Sequence, residues 1–289
     1  MDAITGVFEG GGIRGVALAG AAAATIDAGY RFECAVGTSA GAIVSSLVAA
    51  GYTSDEMRQM VVSVDWPGLV PDKNGLSKNL SMVFRLGFYS GAPLRRIIEE
   101  ALHTKGIRTF GDLDHDALRV VATDLNHGRG VVFPNDLPEL GYTPDEFSVV
   151  DAVLMSSTVP FLFEPVRLED RTTGEELLMA DGAMAARFPA QLVPRVPTTV
   201  GFRLRLPPDN HIHHEIDGPV SMATAVMAAG ITAREDLPPL CGRLDNVVDI
   251  TVDHDSLDFD VDPQRAAEMF EIGYESARLH LEATPVDST

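Results

Sequence analysis

The chain has 289 residues, 45% of them hydrophobic, and a formal charge of −20. This is enough apolar material for a large core, and the acidity argues against nucleic acid as a partner and disfavours anionic membranes. No apolar run approaches the roughly 20 residues that cross a bilayer, and Asp2, Glu9 and Arg14 interrupt the N-terminal one, so neither a cleaved leader nor a membrane anchor is expected.

A soluble, cytoplasmic protein is the expectation that follows. Cys34 and Cys241 lie in apolar surroundings without metal-ligand spacing and read as buried thiols. All three lysines fall within residues 72–108, where Lys73, Lys78, Arg85, Arg95, Arg96, Lys105 and Arg108 outnumber Asp72, Glu99 and Glu100. A solvated helix with its approach loop is the simplest reading of that segment. No linker, repeat or low-complexity tract divides the chain, so residues 1–289 are expected to form a single domain.

In chain order, Ile4–Phe8 reads as a first strand, Gly10–Gly15 as a glycine-rich loop and Val16–Ala28 as the helix that the loop opens. Phe32–Val36 is a second strand, and Gly37-Thr38-Ser39-Ala40-Gly41 is a corner leading into the apolar helix Ala42–Ala50. Strand, loop, helix, strand is a βαβ unit and implies parallel pairing. Helices are expected over Ser54–Val62, with Ser54 as cap, over Ser90–His103 and over Ser148–Ser156. Leu118–Thr123 and Gly130–Phe133 read as a hairpin, and Val166–Leu168 and Leu177–Met179 bracket a turn at Arg171–Gly174. Strands Thr198–Leu206 and Asn246–Val252 and helices from Val220 and Pro263 complete an α/β pattern, with Ala266, Met269, Phe270, Gly273 and Ala277 as a buried stripe.

The corner at Ser39 has the form of a nucleophile elbow, G-x-S-x-G between strand and helix, with Gly37 and Gly41 in the flanking places. Gly10, Gly12 and Gly15 also match the G-x-G-x-x-G spacing of a dinucleotide site. That reading needs an acid at the end of the second strand, where Gly37 and Ser39 stand instead, and Glu33 comes too early. With two glycine turns at the carboxyl ends of neighbouring strands, the loop reads better as amide donors aimed at an oxyanion beside Ser39.

A serine nucleophile needs a base. His211, His213 and His214 cluster with Glu215 in a polar stretch that reads as a solvated loop. His254, after the last strand, is a reserve base. The stronger candidate is Asp181, at a strand end in Ala180-Asp181-Gly182-Ala183, although Asp-Gly also suits a plain Asx-turn.

Gly10-Gly11-Gly12-Ile13-Arg14-Gly15, Gly37-Thr38-Ser39-Ala40-Gly41 and Asp181-Gly182-Ala183, in that order, resemble the signature of the patatin-like phospholipases. Tyr89–Leu94, Ala122–Leu125 and Ser156–Phe161 are similar to further segments of that family. The resemblance implies a three-layer α/β/α fold with a mostly parallel central sheet, and hydrolysis of lipid acyl esters by a Ser39–Asp181 dyad without metal or cofactor. It implies an oxyanion hole from Gly11 and Gly12 with help from Gly10 or Ala40, and supporting places for Arg14, Gly15, Gly37, Gly41 and Gly182. Arg14 would fix the loop or attract a phosphate, and a structural surface arginine is equally compatible with its place. An acyltransferase with the same dyad and a non-catalytic lipid-binding protein are the alternatives.

One position departs from the family pattern: Arg187 stands where an asparagine is usual, six residues after the aspartate. It is expected either to pair with an acid or to attract an anionic head group. Residues 64–92 stand out as a candidate lid or insertion, and the apolar side chains of Leu76–Tyr89 as an interfacial patch for transient contact with a membrane or micelle.

Overall fold

The computed structural model describes residues 2–70, 86–193, 198–207 and 244–286, together with 196, 216, 218, 222, 225, 226 and 229. Most of the 76–89 patch, the histidine cluster at 211–214, most of the helix expected from Val220 (residues 222, 225, 226 and 229 are described and helical), Cys241, Lys73, Lys78 and Arg85 lie outside the described residues.

The expected βαβ unit is present as β1 (Asp2–Phe8), α1 (Gly15–Asp27) and β2 (Tyr30–Thr38), followed directly by α2 (Ala40–Ala49). α1 is buried along Gly15–Thr25, as an alanine-rich helix without a polar face must be. α3 (Ser54–Ser63) is capped one residue earlier than expected. Thr53 accepts the Glu56 N–H while the Glu56 carboxylate accepts the Thr53 N–H, a reciprocal capping box. The Ser54 hydroxyl instead donates to Asp27 at 2.8 Å, tying the start of α3 to the end of α1.

The chain continues through β3 (Gly87–Tyr89), α4 (Ala92–Thr104), β4 (Leu118–Asp124), β5 (Arg129–Phe133), α5 (Val149–Ser157), β6 (Phe161–Phe163), β7 (Val166–Asp170), β8 (Glu175–Asp181) and α6 (Ala183–Ala186). β9 (Thr199–Arg205), β10 (Val247–Thr251) and α7 (Pro263–Ala283) complete it. The stripe from Ala266 to Ala277 on α7 is buried as its spacing requires. β3 and β6, three residues each, form a separate parallel pair that no period in the sequence reveals.

The main sheet runs β10-β9-β1-β2-β4-β8-β7, with β5 also on β4. Its strands from β10 to β4 are parallel, whereas β5, β8 and β7 join antiparallel. On one face Phe8 stacks on Phe202 with centroids 4.7 Å apart, in the core that includes α1 and α7. On the other, Val7 and Val36 meet Ala190, Val193 and Leu244.

One detail of register positions everything that follows. At Val120 and Val121, β4 pairs with both β2 and β5, so these two lie on opposite edges of it. At Ala122–Asp124, β4 pairs with both β5 and β8, so β8 must share the edge used by β2. β2 therefore ends at Thr38, opposite Val121, and β8 arrives from the other direction to end at Asp181, opposite Ala122. Two carboxyl ends meet head-on along a single strand edge.

Candidate active site

Ser39 follows Thr38 at this meeting point. Its backbone turns at φ 56°, a conformation costly for a residue with a side chain, and this turn separates β2 from α2. Close approach dictates the neighbours: a Cβ on Gly41 would lie 2.3 Å from the Phe8 carbonyl oxygen, and one on Gly37 2.2 Å from the Gly41 oxygen. The strained turn is held from outside. The Ser39 N–H donates to Ser156 Oγ at 2.9 Å, and that hydroxyl donates to the Val121 carbonyl at 2.5 Å. The Ser39 carbonyl accepts from Ala42 N–H and from the Ser157 hydroxyl.

The Ser39 hydroxyl donates to Asp181 Oδ2 at 2.6 Å, and both residues are buried. Asp181 Oδ1 accepts the Ala183 N–H at 2.8 Å. The Asx-turn and the paired carboxylate thus coexist, since one oxygen makes the turn and fixes the other toward the serine. Burial pushes the Asp181 carboxyl up to about 6, against the hydrogen bonds from Ser39 and Ala183 and the charge of Arg187. A base with that pKa is ionised at neutral pH yet retains proton affinity. His254 is engaged elsewhere, its ring Nε2 lying 2.8 Å from the Asp258 carbonyl oxygen.

The glycine loop runs alongside. A Cβ on Gly10 would lie 3.2 Å from the Ser39 Cβ, and one on Gly15 2.4 Å from the Ala40 Cβ. Gly12 adopts φ 55°, the left-handed conformation that glycine tolerates. The amides sort into two groups. Gly10 N–H donates to the Arg187 carbonyl at 2.9 Å, and Ile13 N–H to Ser256 at 3.0 Å. Gly10 is therefore corrected as an oxyanion donor: its N–H is already occupied. The N–H groups of Gly11, Gly12 and Ala40 have no recorded acceptor among the described residues.

Arg187 is a buried residue, which removes the expectation that it meets a head group. It answers the other expectation, pairing with an acid. Its Nε donates to the Gly10 carbonyl at 3.1 Å and lies 3.6 Å from Glu9 Oε1. Glu9 Oε2 accepts the Leu204 N–H at 2.5 Å. Burial pushes the Glu9 carboxyl up and the Arg187 guanidinium down, each moderated by the other's charge. Arg187 thus grips Gly10 through both main chain and side chain, latching the glycine loop to the segment after Asp181. Arg14 is also buried, not on the surface, and burial together with the nearby Arg187 charge lowers it to about 10.

Gly182 fits against the Val121 carbonyl, and Thr38 Oγ1 donates to the Ala186 carbonyl at 2.8 Å. Sequence reasoning did not identify the roles of Glu9, Ser156 and Ser157. Among the described residues no three His, Cys, Asp or Glu side chains converge as metal ligands would. No helix among them is long and apolar enough to cross a membrane.

An apolar cavity, open to solvent at its mouth, begins at Ser39, Gly12 and Ala40 and extends between α1 and α2. From the candidate lid segment, Trp66 and Leu69 line it, while Gly87–Tyr89 pairs with β6.

A serine on a strained elbow, bonded to a buried carboxylate and flanked by free amides, has the arrangement of serine acyl-transfer sites. Residues 6–193 match the family model described as patatin-like phospholipase, and the chain belongs to that family. This membership supports lipid hydrolysis as its activity. β9, β10 and α7 follow the matched region, and β9 and β10 extend the same sheet beside β1.

The chain is 34% identical to YqhO of Bacillus subtilis (strain 168), described as uncharacterized, over 96% of this chain and 98% of that one. It is 24% identical to the uncharacterized protein R571 of Acanthamoeba polyphaga mimivirus, over 95% and 92%. Its fold is similar to that of VipD from Legionella pneumophila (TM-score 0.61, 16% identity, 98% of this chain and 67% of that one). It is also similar to the type III effector ExoU of Pseudomonas aeruginosa (TM-score 0.54, 15% identity, 99% of this chain and 54% of that one). The largely parallel sheet flanked by helices is the architecture they share.

Proposed function

We propose that this chain is a serine acyl hydrolase acting on lipid esters through a Ser39–Asp181 dyad. The observation that carries this reading is the 2.6 Å hydrogen bond from Ser39 Oγ to Asp181 Oδ2. Asp181 takes the hydroxyl proton as Ser39 Oγ attacks the ester carbonyl. The oxyanion is stabilised by the N–H groups of Gly11, Gly12 and Ala40, each donor contributing on the order of 3 kcal/mol to the transition state. Collapse breaks the ester bond, and the departing alkoxide takes the proton held by Asp181. Water then gives a proton to Asp181 and attacks the acyl-enzyme. The fatty acid leaves, and Ser39 recovers its hydrogen.

Two variants test the reading with a p-nitrophenyl ester series, phospholipid vesicles and a fluorophosphonate probe. Ser39→Ala is expected to lose both labelling and hydrolysis. Asp181→Ala is expected to lose hydrolysis by several orders of magnitude. Substantial turnover in Asp181→Ala would transfer the base role to another group and refute the dyad.

A further inference from the structure

We infer that the cavity between α1 and α2 is a length-limited acyl site, made for chains of about eight carbons and closed to the full length of long-chain acyl groups. This rests on the reading of Ser39 as the nucleophile, because the cavity starts at that residue.

α1 and α2 both begin at the carboxyl ends of neighbouring parallel strands, so they leave the site side by side. Gly15, Val16 and Ala19 of α1 form one wall, and Ala40, Ile43, Val44 and Leu47 of α2 the other. α3 runs back toward the site because its start is bonded to the end of α1. It brings Met60 and Val61 over the groove, with Val64 and Trp66 following. Among the described lining residues, the side-chain hydroxyls are those of Ser39 and Ser157, and both are donated, to Asp181 and to the Ser39 carbonyl. The Trp66 ring N–H is already donated to the Val61 carbonyl at 2.9 Å. Such a wall accepts hydrocarbon and rejects anything that needs hydrogen bonds along its length.

The depth follows from the helices. At 1.5 Å per residue, the wall extends about 6 Å along α1 from Gly15 to Ala19, and about 10 Å along α2 from Ala40 to Leu47. An extended chain advances about 1.2 Å per bond, so this depth takes roughly five to eight bonds beyond the carbonyl. Beyond it the layer is packed. Ala23, one turn past Ala19, and Met57, one turn before Met60 and Val61, are fully buried and do not line the cavity.

The test uses two readouts. For hydrolysis of p-nitrophenyl esters by the wild-type protein, kcat/KM is expected to rise about fourfold per added methylene up to about eight carbons, with no further gain beyond about ten. Leu47→Phe, and independently Ala19→Leu from the facing helix, should move the optimum to shorter chains, while Leu47→Ala should move it longer. Each effect is read as the ratio of eight-carbon to four-carbon ester within a variant that unfolds cooperatively.

The second readout needs no turnover. Trp66 is the single tryptophan of the chain and stands in the cavity wall, so its emission in Ser39→Ala reports occupancy by methyl esters of graded length. Apparent affinity should strengthen up to about eight carbons and level off thereafter. If no ester is hydrolysed in a Ser39-dependent manner, the proposed function fails while the fluorescence still decides the length limit. A rate or affinity that keeps climbing to sixteen carbons, is flat from two, or ignores both wall positions overturns the inference.

Discussion

Replacing Asp181 by asparagine should stabilise the protein while ending its activity, and the gain should depend on pH in a defined direction. In the folded chain the carboxyl is lifted from 3.8 to about 6, chiefly by burial. At 1.36 kcal/mol per pKa unit, ionising it in place costs about 3 kcal/mol more than in the unfolded chain. Between pH about 4 and about 6 the folded protein keeps a proton that the unfolded chain releases, so stability falls as pH rises through that window. Asparagine retains an oxygen to accept the Ala183 N–H but carries no charge. The unfolding free energy of Asp181→Asn relative to wild type should therefore shift by about 3 kcal/mol in the variant's favour from pH 4 to pH 7, then stay level. Urea unfolding at unit pH intervals measures it, and the titration of Glu9, present in both proteins, cancels in the difference. The same carboxyl sets the acid limb of wild-type kcat/KM, expected near pH 6, with about a tenth of the plateau left at pH 5. A stability difference independent of pH, or an activity undiminished at pH 4.5, would refute the reasoning.

Two further variants probe the supports of the site. Arg187→Gln leaves Glu9 buried without its cation and should cost about 3–5 kcal/mol. Adding Glu9→Gln should recover part of that loss, and strictly additive losses by urea unfolding would disprove the pairing. Ser156→Ala leaves the Ser39 N–H and the Val121 carbonyl without a partner and should cost about 1–3 kcal/mol. The elbow then loosens, so kcat should fall with KM little changed; steady-state kinetics at full folding would expose an unaffected kcat.

The parts of the site legible in the sequence are those that a local turn requires. Ser39 between Gly37 and Gly41, and Asp181 before Gly182, announce themselves because the backbone there leaves no room for a Cβ. Non-local pairing was hidden. Nothing in residues 175–181 discloses that β8 enters antiparallel on the edge where β2 stops, since that is settled by pairing with a strand more than fifty residues away. Glu9 read as an interruption in an apolar run because its partner lies 178 positions later. Ser156 stands out only as the first residue of a family-like segment, which assigns it no role, and only the fold delivers its hydroxyl to Ser39. The cavity escaped for a different reason. Alanine and valine on helical faces signal burial equally whether the faces touch or stand apart.

The division between layers has a consequence for how this molecule can change. The proposed reactive pair, Ser39 and Asp181, answers to strand alignment: a slip of one residue in either β2 or β8 would displace a partner by about 3.3 Å and sever the contact. The walls of the groove answer to helices that hang from the sheet without taking part in that alignment. Tolerance for new substrates can therefore drift through substitutions such as those at Ala19 or Leu47, while the chemistry stays locked in a separate piece of architecture.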